Sequence, residues 1–559
     1  MPTRQAMWER LGPQVDLLVI GGGITGCGVA RDAVRRGLKV ALIEQKDFAF
    51  GTSSRSSKLV HGGLRYLEQY EFSLVFEAVS ERRILMDIAP HLVSPLGFLF
   101  PVYETSRKPL WMVNAGMWVY EGLSMFRSPK RHKSLKSAAE VKEEEPTLAV
   151  TGMTGAPLYY DCSTDDARLT LENAMDAARL GAAVVSYARV VSFVKDAGRI
   201  TGVVVEDGVT GELRPVRCSA VVNATGPWTD RTLAMSQGGG SPLLRPTKGV
   251  HIVVAREKVP VRNAVVILHP VDGRLLFAIP WGEHAYFGTT DTDFEGDPAD
   301  VAATRADVDY LLAAAAKYFP DNPLTHEDVI STWAGLRPLI APPGEGVAES
   351  SVSREHHIAV GNDGLVTIAG GKLTTYRRMA EEVVETALKL LRLTGADLPK
   401  LQPPATDTEP LPGAVGWPAD DDTTRVAGQI ADASRGVLQP DTAVLFAHTY
   451  GIRGLDLARR IATDATLAQR LVPGRPEVLG QVDWAVDEEM AASVADILVR
   501  RTQLYYRDRD QGLAAAPVIA ERMAARLGWS DDRKASEIAA YQAEVERSRR
   551  WRTEGAPTV

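Results

Sequence analysis

The segment SSKLVHGGLRYLEQYE, Ser56 to Glu71, crowds Lys58, His61 and Arg65 around the paired glycines Gly62 and Gly63. Adjacent glycines add no packing and lose more backbone freedom on folding than other residues. Bare backbone among three potential cations suits the meeting of an anionic cofactor and an anionic substrate. A second phosphate-binding signal stands near the start of the chain. Gly21, Gly23 and Gly26 form GxGxxG directly after the apolar run LLVI, and a helical pattern follows from about Ile24 to Arg36. The first glycine permits a tight turn, the second admits a pyrophosphate close to the backbone, and the third lets helix pack on strand. Amides at the start of that helix, including those of Ile24 and Thr25, face the phosphates. Glu44 closes the next strand, KVALIE, at the spacing of a carboxylate that grips a ribose hydroxyl. An acid there disfavours a 2′-phosphate and hence NADP.

These residues need a scaffold of some size. With 559 residues the chain is long enough for two or more domains. It is 45% hydrophobic and 24% charged, as in ordinary globular proteins, and its net charge of −8 argues against bulk nucleic-acid binding. Cys27, Cys162 and Cys218 are far apart and show no metal spacing. The first residues lack the apolar core of a secretory signal, and no uninterrupted apolar run is long enough for a transmembrane helix. Val15 to Gln45 reads as strand, glycine turn, helix and strand. Ala182 to Trp228 and the runs HIVVA, AVVIL, RLLFAIPW and AYFGTTDTDF read as strands. Leu365 to Leu393 reads as strand, glycine turn and long helix. Gly395 to Asp422 is rich in proline and acid, which marks a linker or a surface-draped connection. Helical patterns dominate beyond it.

Two distant stretches extend the nucleotide site. VVNATGPW ends an apolar strand at Ala224, Thr225 and Gly226. IAGGKLTTY places Gly370 and Gly371 at a strand-to-helix turn. Flavoproteins of two domains resemble this pattern and return to the cofactor at both kinds of site. A reduced flavin carries negative charge, which the positive end of the helix after Gly371 and the Lys372 ammonium would favour.

The motifs GGGITGCGVARDAVRRGL, TSSRSSKLVHGGLRYLEQYEF, DARLTLENA, VVNATGPW, KGVHIVV, IPWGEHAYFGTTDTDF, GLRPL and AGGKLTTYRRMAE occur in this order and cover most of Val15 to Glu382. Together they resemble the FAD-dependent, quinone-linked respiratory glycerol-3-phosphate dehydrogenases. The resemblance implies a mixed α/β chain in which a Rossmann-type FAD-binding domain is interleaved with a β-rich substrate domain, followed by an α-helical cap. The FAD-binding segments are placed at about 14–75, 165–235 and 330–398, the substrate-binding segments at about 76–164 and 236–329, and the helical domain at 399–559. The reaction implied is oxidation of sn-glycerol 3-phosphate to dihydroxyacetone phosphate. Non-covalent FAD takes the electrons and a membrane quinone receives them.

By the same resemblance, Arg65, Tyr66, Arg337, Lys372 and Thr375 hold the substrate. Arginine suits its phosphate through bidentate charge-assisted bonds. His251 is the expected base, since histidine titrates near neutral pH, and His61 is the alternative. Arg337 and Lys372 complete the catalytic set by stabilising developing negative charge. Ser56, Ser57 and Lys58 are expected to bond cofactor oxygens, while His61, Gly62 and Gly63 line the flavin. Val190 and Leu373 join the cofactor contacts. An oxidase using O2, an amine or amino-acid oxidase of the same fold, and a non-catalytic flavin-binding scaffold stay open as alternatives.

The resemblance also implies peripheral attachment to the cytoplasmic face of the membrane. Pro109 to Lys136 combines Trp, Met and Tyr with a basic cluster. The favoured expectation there is a core-packed helix followed by a solvated basic loop. The alternative is an interfacial helix touching anionic lipid. A homodimer is left open.

Overall fold

The computed structural model describes residues 3–554 apart from 65, 66, 68, 69, 126, 127, 240 and 342–355. Arg65 and Tyr66 therefore lie outside the described residues. Two sheets organise the N-terminal two thirds. In the first, Gln14–Ile20 sits between Val40–Ile43 and Leu213–Asn223 and runs parallel to both. Leu365–Gly370 extends the parallel set beyond Leu213–Asn223. Central parallel strands are covered on both faces, which is why LLVI and VALI are continuously apolar rather than alternating. Leu17, Leu18, Val19, Ala41 and Leu42 are fully buried in the core that results.

The helix Ile24–Arg35 leaves the first strand through the glycine turn. Gly21 has φ +108°, and a Cβ there would meet the Ala224 carbonyl oxygen at 2.5 Å. A Cβ on Gly26 would collide with the Gly21 carbonyl oxygen. The first and third glycines therefore serve the close approach of helix to sheet. Gly37, at φ +97°, follows the helix end as its sequence position suggests.

The second sheet is larger and mostly antiparallel. Its long strands Leu244–Ala255 and Val329–Ile340 pair in a register that sets His251 opposite Trp333, Gly249 opposite Gly335 and Thr247 opposite Arg337. Alternation along a strand puts these six on one face. The two glycines leave a flat gap between His251 and Arg337, crossed by neighbouring chain: a Cβ on Gly335 would meet the Arg55 carbonyl oxygen at 2.6 Å. Leu59–Val60 and Val329–Ile340 both belong to this second sheet. The segments 14–75 and 330–398, expected to bind FAD, therefore each contribute strands to both sheets.

The connection after residue 394 is draped over the nucleotide unit. Arg31 donates to the Thr406 and Glu409 carbonyls, and the Leu411 amide donates to Ile88. The helices beyond it divide into two groups. Val426, Ile430, Phe446 and Leu457 form a core of their own. Val482, Ile497, Tyr506 and Ile519 instead share a core with Val253, Tyr286 and Trp333 of the second sheet. Buried ion pairs fasten this region to the nucleotide unit, Arg501 to Asp47 at 2.8 Å among them. Among the described residues no helix is long and apolar enough to cross a membrane.

The helix Leu110–Leu123 corrects one expectation. Only one face packs on the core, through Met117 and Tyr120 with Val113 and Leu123 against them. Trp111 is 69% and Trp118 61% exposed, and Met112, Val119 and Met125 are exposed with them. Only Met117, Tyr120 and Glu121 of this helix are buried.

Candidate functional site

A cavity of about 410 Å³ begins at the glycine turn and ends at the strand-to-helix turn around Gly371. Gly21, Gly23, Ile24, Thr25, Glu44, Ser56, Val190, Ala224, Thr225, Gly226, Gly370, Gly371, Lys372 and Leu373 all border it. The sequence expectations for these residues and the cavity coincide in place. Gly23 is the N-terminal cap of the helix, and no acidic residue stands in its first turn to oppose a phosphate. The Ile24 amide donates to Ser53 Oγ at 2.9 Å. Glu44 accepts from the Gly22 amide at 2.6 Å and the Lys46 amide at 2.8 Å, which fixes its carboxylate at the cavity wall. Burial pushes the Glu44 carboxyl up, against the pull of those two N–H groups. An elongated cavity with a helix N-terminus and an oriented carboxylate on its wall fits an adenine dinucleotide such as FAD.

Several residues expected at the cofactor make defined contacts within the protein. Gly26 serves helix packing. Lys58 is 2% exposed, and its Nζ lies 2.6 Å from Asp166 Oδ1 and 3.2 Å from the Ser54 carbonyl. The rings of Trp281, Trp333 and Tyr506 surround it at 5.9, 5.6 and 5.5 Å. Burial is the largest single influence and opposes its charge, but Asp166, Tyr506 and Asp165 together outweigh it and hold the pKa above the usual lysine value. Ser56 donates its hydroxyl to the same Asp166 at 2.7 Å. At Gly62 a Cβ would run into Tyr120 Oη, and the amide donates to Asp161 at 3.2 Å. Gly63 has φ +72° and donates to His61 Nδ1 at 3.1 Å. Gly62, Gly63, His61 and Ser57 do not border the cavity.

His251 is 3% exposed. It stacks on Trp333 at 4.5 Å between centroids and 14° between planes, and its Nε2 lies 2.9 Å from Ser57 Oγ. Its ring also rests on Gly288, where a Cβ would collide with Cδ2. Burial, then the charges of Arg337 and Lys58, hold its pKa well below the usual histidine value, so the ring is neutral at pH 7. Arg337 donates to Asp291 Oδ1 at 2.9 Å and to Thr289 Oγ1 and the Thr290 carbonyl, both at 3.1 Å. These bonds fix its guanidinium over Gly249. Arg337 does not border the cavity, but its neighbour Pro338 does. Lys372 stands at the turn into the short helix Leu373–Thr375 and the long helix Tyr376–Leu393. Thr375 is buried at the start of the long helix and does not reach the cavity. Phe50, Ser53, Trp228, Arg231 and Met379 border the cavity as well. Sequence reasoning passed over them, although Ser53 and Trp228 stand inside the TSSRSS and VVNATGPW motifs.

The chain belongs to the FAD-dependent oxidoreductase family, whose model matches residues 16–377. A second model, the C-terminal domain of alpha-glycerophosphate oxidase, matches residues 404–534. Relatives that match it over nearly its whole length include several glycerol-3-phosphate dehydrogenases. It is 40% identical over 551 residues to glycerol-3-phosphate dehydrogenase 2 of Mycobacterium tuberculosis, covering 98% of this chain and 91% of that protein. It is 36% identical over 522 residues to the aerobic glycerol-3-phosphate dehydrogenase of Bacillus subtilis, covering 93% of this chain and 92% of that one. The glycerol-3-phosphate dehydrogenase of Bacillus halodurans, solved in complex with FAD, superposes with a TM-score of 0.80 at 32% identity and 98% coverage of both chains. A glycine oxidase from Geobacillus kaustophilus, at 20% identity and a TM-score of 0.51, shares the fold.

Proposed function

We propose that the chain oxidises sn-glycerol 3-phosphate to dihydroxyacetone phosphate with FAD and delivers the electrons to a membrane quinone. The observation that carries the reading is that one cavity joins the glycine turn and Glu44 to Lys372, while Arg337 and neutral His251 share the adjoining sheet face. The relatives' names supply the substrate. Amides at Gly23 and Thr25 would hold the pyrophosphate, beside the Ser53 hydroxyl that takes the Ile24 amide, and Glu44 the ribose. FAD, when bound, supplies the two-electron acceptor for the hydrogen on the carbinol carbon. The chain's own residues do the rest. Arg337 and Lys372, with Arg65 and Tyr66 by resemblance, bind the phosphate dianion and orient the alcohol. His251, kept neutral, accepts the hydroxyl proton.

The exposed face of Leu110–Leu123 favours peripheral membrane contact over a purely soluble life. Arg107, Lys130, Arg131, Lys133 and Lys136 flank it in sequence and are exposed, which suits an anionic bilayer. Such contact would place the enzyme at the quinone's own phase. The test is steady-state turnover of FAD-loaded enzyme on sn-glycerol 3-phosphate, glycerol and glycine, with a soluble quinone analogue and with O2. Turnover of the phosphate ester alone, faster with quinone, supports the reading. Turnover of glycine, or equal rates with O2, contradicts it.

A further inference from the structure

Only one ring nitrogen of His251 has a hydrogen-bond partner among the described residues. Its Nδ1 is fully buried and has no hydrogen-bond partner. Its Nε2 is closed off by Ser57 Oγ at 2.9 Å. The ring is clamped between Trp333 and Gly288, so rotating it to expose another edge would break both contacts. Ser57 is different. It is only half-buried, and its neighbour Ser56 borders the cavity. Ser57's backbone is held as well: its carbonyl accepts from Tyr286 Oη at 2.8 Å, and the Ser56 carbonyl accepts from Trp333 Nε1 at 3.1 Å. The Lys58–Asp166 pair anchors the next residue.

The geometry points to Ser57 as a proton relay between the reacting alcohol and His251. This rests on the reading of the substrate given above. As the carbinol C–H bond breaks and its hydride passes to the family's flavin cofactor, the alcohol proton moves to Ser57 Oγ. Ser57's own proton moves in the same step to Nε2 of His251. The alcohol becomes the ketone, the serine is regenerated, and the imidazole ends protonated. The cationic surroundings of His251 then favour release of that proton through Ser57 to water once the ketone has left, and phosphate binding offsets those cations during turnover. Neutral imidazole is the form the relay needs, with the Nε2 lone pair accepting from the serine hydroxyl.

The test compares Ser57→Ala, Ser57→Thr, His251→Asn and the Ser57→Ala/His251→Asn double variant. Flavin content and FAD affinity are measured first, then the rate of anaerobic flavin reduction by sn-glycerol 3-phosphate across pH. A relay predicts unchanged FAD affinity in Ser57→Ala and reduction slowed by about 100-fold, the low end for a lost acid–base step. Ser57→Thr restores most of the rate. The double variant is no slower than either single one, because both residues serve one step. Wild-type reduction rates in Ser57→Ala beside a slow His251→Asn would overturn the relay and leave His251 acting directly. Weakened FAD binding in Ser57→Ala with normal reduction of the loaded fraction would make Ser57 a cofactor contact and overturn it too. Failure of the wild type to be reduced at all would remove the substrate itself.

Discussion

Replacing Lys58 by methionine separates two roles that one motif suggests. The side chain keeps its apolar length but loses the ammonium, and Asp166, itself fully buried, is left without its cation. Breaking one partner of a buried pair costs about 3–5 kcal/mol. Asp166 still accepts from the Ser56 amide and hydroxyl and from the Ala167 amide, which favours the lower end. The loss of attraction to three aromatic rings adds to it. Spread over a cooperative unit of roughly 400 residues at about 2.1 cal/mol/K each, 3 kcal/mol lowers the thermal midpoint by roughly 4 °C. The assay is circular dichroism melting of the apo and FAD-loaded forms, with FAD affinity measured by fluorescence. The expected result is a fall of similar size in both forms. Lys58→Met/Asp166→Asn recovers part of it, since no uncompensated charge then remains. A Lys58→Met protein whose apo form melts as wild type but whose FAD affinity collapses would refute the structural reading and return Lys58 to the cofactor.

Burial, then the nearby Arg507, takes the His284 pKa down from 6.5 to about 4. The unfolded chain therefore binds the proton first as pH falls below 6.5, and stability is lost progressively until about pH 4, by about 3 kcal/mol in all. His284→Gln is expected to flatten this acid limb in melts between pH 7 and 4.5, and parallel limbs would contradict it. The paired variant Trp111→Ser/Trp118→Ser is expected to reduce co-sedimentation with vesicles containing anionic lipid at least tenfold while turnover with a soluble acceptor stays unchanged. Equal sedimentation would remove this helix from the membrane-contact role.

What could be read from the sequence followed the reach of the interactions. The glycine turn, Glu44 and the helix behind them are local, so their spacing states their geometry. The central strands could be read because burial on both faces leaves an unbroken apolar run. Residues whose meaning lies far along the chain could not. Lys58 meets Asp166 across 108 residues, and Ser57 meets His251 across 194. A Cβ at Gly62 would run into Tyr120, a contact no local pattern contains. Leu110–Leu123 carries enough Trp and Met for a core helix, and only packing reveals that Trp111, Met112 and Trp118 face outward while Met117 is buried. Asp291, the partner of Arg337, lies 46 residues earlier in the chain, and only the folded structure brings the two together.

The central claim is that this cavity hosts flavin-dependent oxidation of a phosphorylated polyol. Anaerobic mixing of the FAD-loaded protein with sn-glycerol 3-phosphate, followed by the flavin's visible absorbance, tests it most directly. The account predicts rapid bleaching by sn-glycerol 3-phosphate, none by glycerol, and strong slowing in Arg337→Ala and Lys372→Ala proteins that still carry flavin. A fully loaded, folded protein that keeps its colour would contradict it.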